Sequence, residues 1–269
     1  MLKDITLGQY FPGDSVVHRL DPRTKLILVV VYIVALFLAE SFLTYAIMFL
    51  ILAGCIHASK VGVKPIVRGM RPVLIILIFT GVLNLFYATG GVELVHIGFI
   101  HIYSGGVKTA VFMVARIMML ISGTFLLTYT TSPIQLTDAI ESLLGPLKKL
   151  HVPVHDLAMM MSIALRFIPT LIEETDKIMS AQKARGADFE TGSLIDRAKA
   201  MVPLLVPLFI SAFRRADELA TAMECRCYHG GQGRTRLRQL KYVRNDYAAL
   251  AGGLALCVLV GVLGVGYGL

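Results

Sequence analysis

Hydrophobic positions along the chain fall into a few long blocks rather than short alternating runs. Leu26 to Ala58 is almost continuously apolar and is broken by one charge, Glu40. A single helix of that length would reach roughly 50 Å against a hydrocarbon core of about 30 Å, so the run predicts two spans turning near Glu40 and Ser41. Pro72 to Ala88 predicts a third span, Val107 to Tyr129 a fourth and Tyr247 to Gly268 a fifth. After Thr89, Gly90 and Gly91, alternating Val, His, Ile and Tyr predict an interfacial or re-entrant piece before the fourth span.

Thr130 to Asp246 has a different pattern, too amphipathic to cross a bilayer and too helical to be a linker. Ser132, Pro133, Ile134 and Gln135 form a capping box with proline at the first helical position, predicting a short helix that ends at Gly145 and Pro146. A long helix is predicted from His155 to Arg185, kinked at Pro169 and stopped by Gly186. Another runs from Ser193 and Leu194 past Pro203 and Pro207 to Arg226. The resulting fold class is an all-α polytopic membrane protein. It divides into an N-terminal membrane domain (1–129, four spans), a domain of amphipathic helices (130–246) and a final transmembrane helix (247–269).

Composition agrees with that division. Apolar residues make up 56% of the chain, charged residues only 16%, and mean hydropathy is +0.71, whereas a soluble domain carries about 25% charged residues. The first 25 residues hold Asp4, Asp14, Arg19, Asp21, Arg23 and Lys25 without a compact apolar run and cleavage site, so no secretory leader is expected. All Lys and Arg except Lys108 and Arg116 lie in the N-terminal segment, the second connection or the stretch 130–246. By the positive-inside rule the N-terminus and the amphipathic domain are cytoplasmic and the C-terminus is outside, in a cell membrane. That sorting accounts for the net charge of +8 without nucleic acid. Cys55, Cys225, Cys227 and Cys257 read as reduced thiols rather than a disulfide framework.

The candidate chemistry sits at the ends of the two long helices. An offset of 41 residues places Arg226 over Arg185, Asp217 over Asp176 and Ala222 over Ala181, so the endings are Ala184-Arg185-Gly186 and Cys225-Arg226-Cys227. A guanidinium is always charged and grips a carboxylate through two parallel hydrogen bonds, which suits docking rather than catalysis. The plainer alternative is a basic last turn that complements the helix dipole. Met159, Met160 and Met161 offer adaptable apolar packing, either for a sliding partner or for a core. Arg116 must pair inside the bundle, snorkel or meet a moving partner. Cys225, Cys227 and His229 lack a further ligand, so no metal site is expected. No phosphate-binding loop, metalloprotease or hydrolase motif occurs, so neither catalytic residues nor a cofactor are expected of this chain.

Leu20-Asp21-Pro22-Arg23-Thr24-Lys25-Leu26, Leu165-Arg166-Phe167-Ile168-Pro169 and the paired arginine endings together resemble the transmembrane T component of energy-coupling factor (ECF) transporters, the EcfT family, which is CbiQ-like. The likeness covers nearly the whole chain, and Tyr10-Phe11-Pro12-Gly13-Asp14-Ser15 looks like its shared vitamin-transporter branch. The resemblance implies a complex with two ABC-type ATPases (EcfA and EcfA′) and interchangeable substrate-binding S components. It implies that Ala184, Arg185, Gly186, Cys225, Arg226 and Cys227 dock on the ATPases, which alone hydrolyse ATP. Asp176, Asp217, Arg166 and Pro169 would support the coupling helices, and Met159 to Met161 would face the S component. The second ending keeps the arginine of the family's Ala-Arg-Gly motif but replaces both neighbours. The rival readings are a permease that binds its own substrate without an S component, which predicts uptake without a third subunit, and a membrane-embedded enzyme, for which the spans offer mainly Asn84 and Arg116 as polar material.

Overall fold

The computed structural model describes residues 10–87, 93–97, 100–189, 191, 193–230 and 239–267. Its elements in chain order are α1 (Val16–Arg19), α2 (Pro22–Leu38), α3 (Phe42–Ser59), α4 (Val63–Tyr87), β1 (Glu93–Ile97), β2 (Ile100–Tyr103), α5 (Ser104–Thr130), α6 (Pro133–Leu143), a 3-10 turn (Gly145–Leu150), α7 (Val154–Ala184), α8 (Leu194–Cys225) and α9 (Arg244–Tyr267). The chain forms two compact units, one of residues 8–139 with 240–269 and one containing residues 140–239.

In the first unit the long apolar run breaks where Glu40 requires it. Ser41 caps α3, its hydroxyl accepting from the Thr44 N–H while the Thr44 side chain accepts from the Ser41 N–H. At the other end Asp21 caps α2 and Pro22 supplies the first turn, where no N–H is needed. Ala35, Leu36, Met48, Met119 and Val260 form the centre of the core where α2, α3, α5 and α9 meet. The contact of α9 with α2 depends on small residues. A Cβ on Gly253 would lie 2.5 Å from Leu28 Cδ2, and one on Gly264 would lie 2.7 Å from the Leu38 carbonyl oxygen. Close backbone approach of this kind drives helix association in lipid, where apolar burial gives little net gain.

Five described helices are long and apolar enough to cross a membrane: α3, α4, α5, α7 and α9. The number matches the sequence reading but the membership differs. With 17 residues α2 is about 25 Å long, at the lower limit for a span. In exchange α7, expected to be too amphipathic, also qualifies by length and composition, because its charges cluster in its second half. The third span begins earlier than its apolar run, since the basic turns around Lys64, Arg68 and Arg71 are helical too and Pro72 lies inside α4. The segment before α5 is a two-stranded antiparallel hairpin with His96 opposite His101, the structure that its alternation favours. Thr89, Gly90, Gly91 and Gly268 lie outside the described residues.

Arg116 is paired inside the bundle. Its Nε donates to the Tyr45 hydroxyl at 2.8 Å and its Nη2 to the Ala39 carbonyl at 3.0 Å. Ala39 is the C-terminal cap of α2, so Arg116 satisfies a carbonyl that the helix itself cannot pair. At the opposite end of α2 the loop before it is tied to α9. Asp246, 1% exposed, accepts the Asp21 N–H at 2.8 Å through one oxygen and the Val243 N–H through the other. Asp21 in turn holds Arg23 through two side-chain hydrogen bonds, and the Arg23 guanidinium lies over the Tyr242 ring. Burial by itself would push the Asp21 carboxyl up, but the Arg23 hydrogen bonds and the Arg23 and Lys25 charges outweigh it. The group is held below the usual carboxylate range.

Candidate functional site

The second unit is organised around α7 and α8. Ser193 caps α8 in a capping box with Asp196, and the helix continues through Pro203 and Pro207. Pro169 likewise lies inside α7. The two helices run antiparallel, because contact partners fall along α7 as they rise along α8. Gln182 Nε2 reaches the Pro203 carbonyl, Glu174 pairs with Arg215 at 2.5 Å, and the Tyr228 hydroxyl just beyond α8 donates to Met159 Sδ at 3.0 Å.

Both helices end in one backbone motif. In α7, Arg185 is the C-terminal cap, the Gly186 N–H bonds to the Lys183 carbonyl and the Ala187 N–H to the Gln182 carbonyl. In α8, Arg226 is the cap, the Cys227 N–H bonds to the Glu224 carbonyl and the Tyr228 N–H to the Met223 carbonyl. These are the paired bonds of a Schellman ending, which places the next residue in the left-handed region. Gly186 sits there at φ +88° and Cys227 at φ +52°. The motif therefore survives the loss of its glycine, at the backbone cost that a side chain carries at positive φ.

The same offset of 41 residues relates Glu174 to Arg215, and each is 11 residues from its own terminal arginine. With 1.5 Å of rise per residue, Arg185 and Arg226 project from opposite ends of the pair, roughly 33 Å apart. Both are exposed, as are Ala184, Gly186, Cys225 and Cys227. Asp176 is half-buried, and Asp217, Arg166 and Pro169 are exposed. Of the three methionines, Met160 and Met161 are exposed, whereas Met159 is half-buried under Tyr228.

The α8 ending rests on partners that sequence spacing does not reveal. Tyr228 lies 3.5 Å from His155 Nε2, and His155 Nδ1 pairs with Glu141 at 3.0 Å. Glu141 is 7% exposed. Together they brace the residue after Cys227 against the start of α7 and leave a cavity of about 450 Å3 beside Arg226, lined also by Ile163, Leu219 and Met223. Among the described residues no cluster of His, Cys, Asp and Glu is arranged to hold a metal.

The family described as "Cobalt transport protein" (CbiQ) matches residues 13–237. The energy-coupling factor transporter transmembrane protein EcfT of Clostridium kluyveri is 55% identical over 262 residues, covering 97% of this chain and 95% of its own. The chain belongs to the EcfT family. The EcfT proteins of Ruminiclostridium cellulolyticum and Bacillus subtilis agree, at 51% over 263 residues and 48% over 260, each covering at least 97% of both chains. EcfT membership makes this a transmembrane component of an ECF transporter, a transport subunit embedded in a membrane rather than an enzyme on its own.

Proposed function

We propose that this EcfT chain transmits ATP-driven motion from two ATPase subunits, EcfA and EcfA′, to an S component that carries a vitamin or similar micronutrient through the cell membrane. The observation that carries the reading is the duplication of one helix ending at opposite ends of one antiparallel pair. A basic last turn could complement the dipole of a single helix. It gives no reason for two identical caps, each presenting an exposed arginine about 16 Å from a common clasp.

In this reading Arg185 docks in a groove of one ATPase and Arg226 in a groove of the other, each gripping a carboxylate through two hydrogen bonds. ATP binding moves the two ATPases, and the arginines carry that movement into α7 and α8. Met160 and Met161 meet the S component, where polarizable, unbranched side chains repack as the surface shifts. Energy enters through contacts that differ between the two states, without which no conformational coupling occurs. Residues 130–246 and the N-terminus face the cytoplasm and the C-terminus faces outward, consistent with the distribution of Lys and Arg.

The test is affinity purification of the complex carrying Arg185→Ala and Arg226→Ala, singly and together, with subunit composition, ATP hydrolysis and substrate uptake measured on each. The double variant should lose ATPase subunits or hydrolyse ATP without uptake. Full composition with normal uptake would refute the docking role.

A further inference from the structure

Helices α1, α2, α3, α5 and α9 line an apolar, open-sided cavity of about 340 Å3 in the first unit. Leu28 and Val29 of α2, Leu126 and Leu127 of α5, and Gly252 and Leu256 of α9 supply much of its wall. Its volume lies at the lower end of the range for ligand sites, about 300–1,000 Å3.

Two of its polar residues, Lys25 and Tyr32, lie along one face of α2. Lys25 is the charged residue in its lining and is 5% exposed. Its ammonium donates to the Thr130 carbonyl at 2.8 Å and the His18 carbonyl at 3.2 Å, two of the three hydrogen bonds it can give. The nearby carboxylates are otherwise engaged, Asp21 by Arg23 and Asp246 by two backbone N–H groups. Tyr32 follows Lys25 by two helical turns, about 10 Å deeper, and its buried hydroxyl has no hydrogen-bond partner among the described residues. Lys25 immediately precedes the apolar run that begins at Leu26, the position at which basic residues flank membrane spans, and Arg19 is exposed in α1.

We propose that this cavity is a lipid site, taking part of one acyl chain of an anionic phospholipid whose head-group oxygens accept from Lys25. A bilayer supplies the apolar chain, and a buried cation at the head-group level selects a negative head. The site is separate from the helix ends assigned to ATPase docking.

Gly252 gives a clean perturbation, because a Cβ placed there meets nothing within 4 Å and a side chain grows into open space. The full chain is purified in mild detergent, exposed to mixed micelles containing dioleoyl phosphatidylglycerol or dioleoyl phosphatidylcholine, and examined by native mass spectrometry. One phosphatidylglycerol should be retained per chain, at least tenfold more than phosphatidylcholine, and Gly252→Phe should lower retention at least tenfold. Cys55 in the cavity wall gives a second readout without mutation. Its labelling by N-ethylmaleimide, read by peptide mass, should slow severalfold when phosphatidylglycerol is added. Equal retention of the two lipids, equal retention by Gly252→Phe, or Cys55 labelling indifferent to lipid would overturn the assignment.

Discussion

Replacing Cys227 by glycine tests the account of the α8 ending most directly. Cys227 sits at φ +52°, where the Cβ of an L-residue crowds the following carbonyl at a cost of roughly 1–2 kcal/mol. Glycine removes that cost but loses roughly 0.5–1 kcal/mol more chain entropy on folding. The difference leaves Cys227→Gly more stable by about 0.5–1 kcal/mol, a factor of about 2–5 in the equilibrium for opening the last turn. Hydrogen exchange of the Cys227 and Tyr228 amides reads that equilibrium, because both bond back to the helix through Glu224 and Met223. Their exchange should slow by that factor. The mirror experiment is Gly186→Ala at φ +88°, where no neighbouring atom obstructs a Cβ and only the backbone resists. Exchange at Ala187 should accelerate by a similar factor or more. If Cys227→Gly left exchange unchanged and Gly186→Ala did not accelerate it, the two endings would not share the backbone constraint described above.

Arg116→Leu should destabilise the membrane unit by about 1.5–3 kcal/mol, since it strips a charged hydrogen bond from the Ala39 carbonyl and another from Tyr45. Thermal unfolding in detergent measures this, and an unchanged midpoint would contradict the pairing. Asp21→Asn should cost about 1.5–3 kcal/mol near pH 6. Because the folded carboxyl titrates below its ordinary value, its stabilisation is present above about pH 4 and is lost as the pH falls through the folded value. The midpoint difference between wild type and Asp21→Asn should therefore shrink on acidification toward pH 3, and a constant difference would count against an ionised Asp21. A double-mutant cycle on Glu174→Ala and Arg215→Ala should give a coupling of about 0.5–1 kcal/mol, appropriate to a pair whose side chains are 22% and 29% exposed. Zero coupling would remove the clasp from the α7 and α8 interface.

Much of the helical layout was legible because its signals are local. Ser41, Ser132 and Ser193 announce helix starts through residues three positions away, and Gly186 announces an end through its own backbone freedom. The arginine endings were readable for the same reason. The pairing of Arg116 with Ala39 and Tyr45 was open among alternatives, since those partners lie more than 70 residues away. The tie between Asp21 and Asp246 spans 225 positions and has no periodic signature. Hydropathy also misjudged one boundary. It began the third span at its apolar run although the basic turns before it are helical. The support of Tyr228 by His155 and Glu141 was invisible because it joins three separate elements.

The equal spacing of Arg185 and Arg226 from the Glu174 and Arg215 contact has a mechanical meaning. Forces of opposite sense at the two tips add as a torque about that midpoint, whereas forces of the same sense produce translation with no rotation. A beam gripped at both tips thus behaves as a seesaw or as a piston depending only on the relative direction of its two drivers.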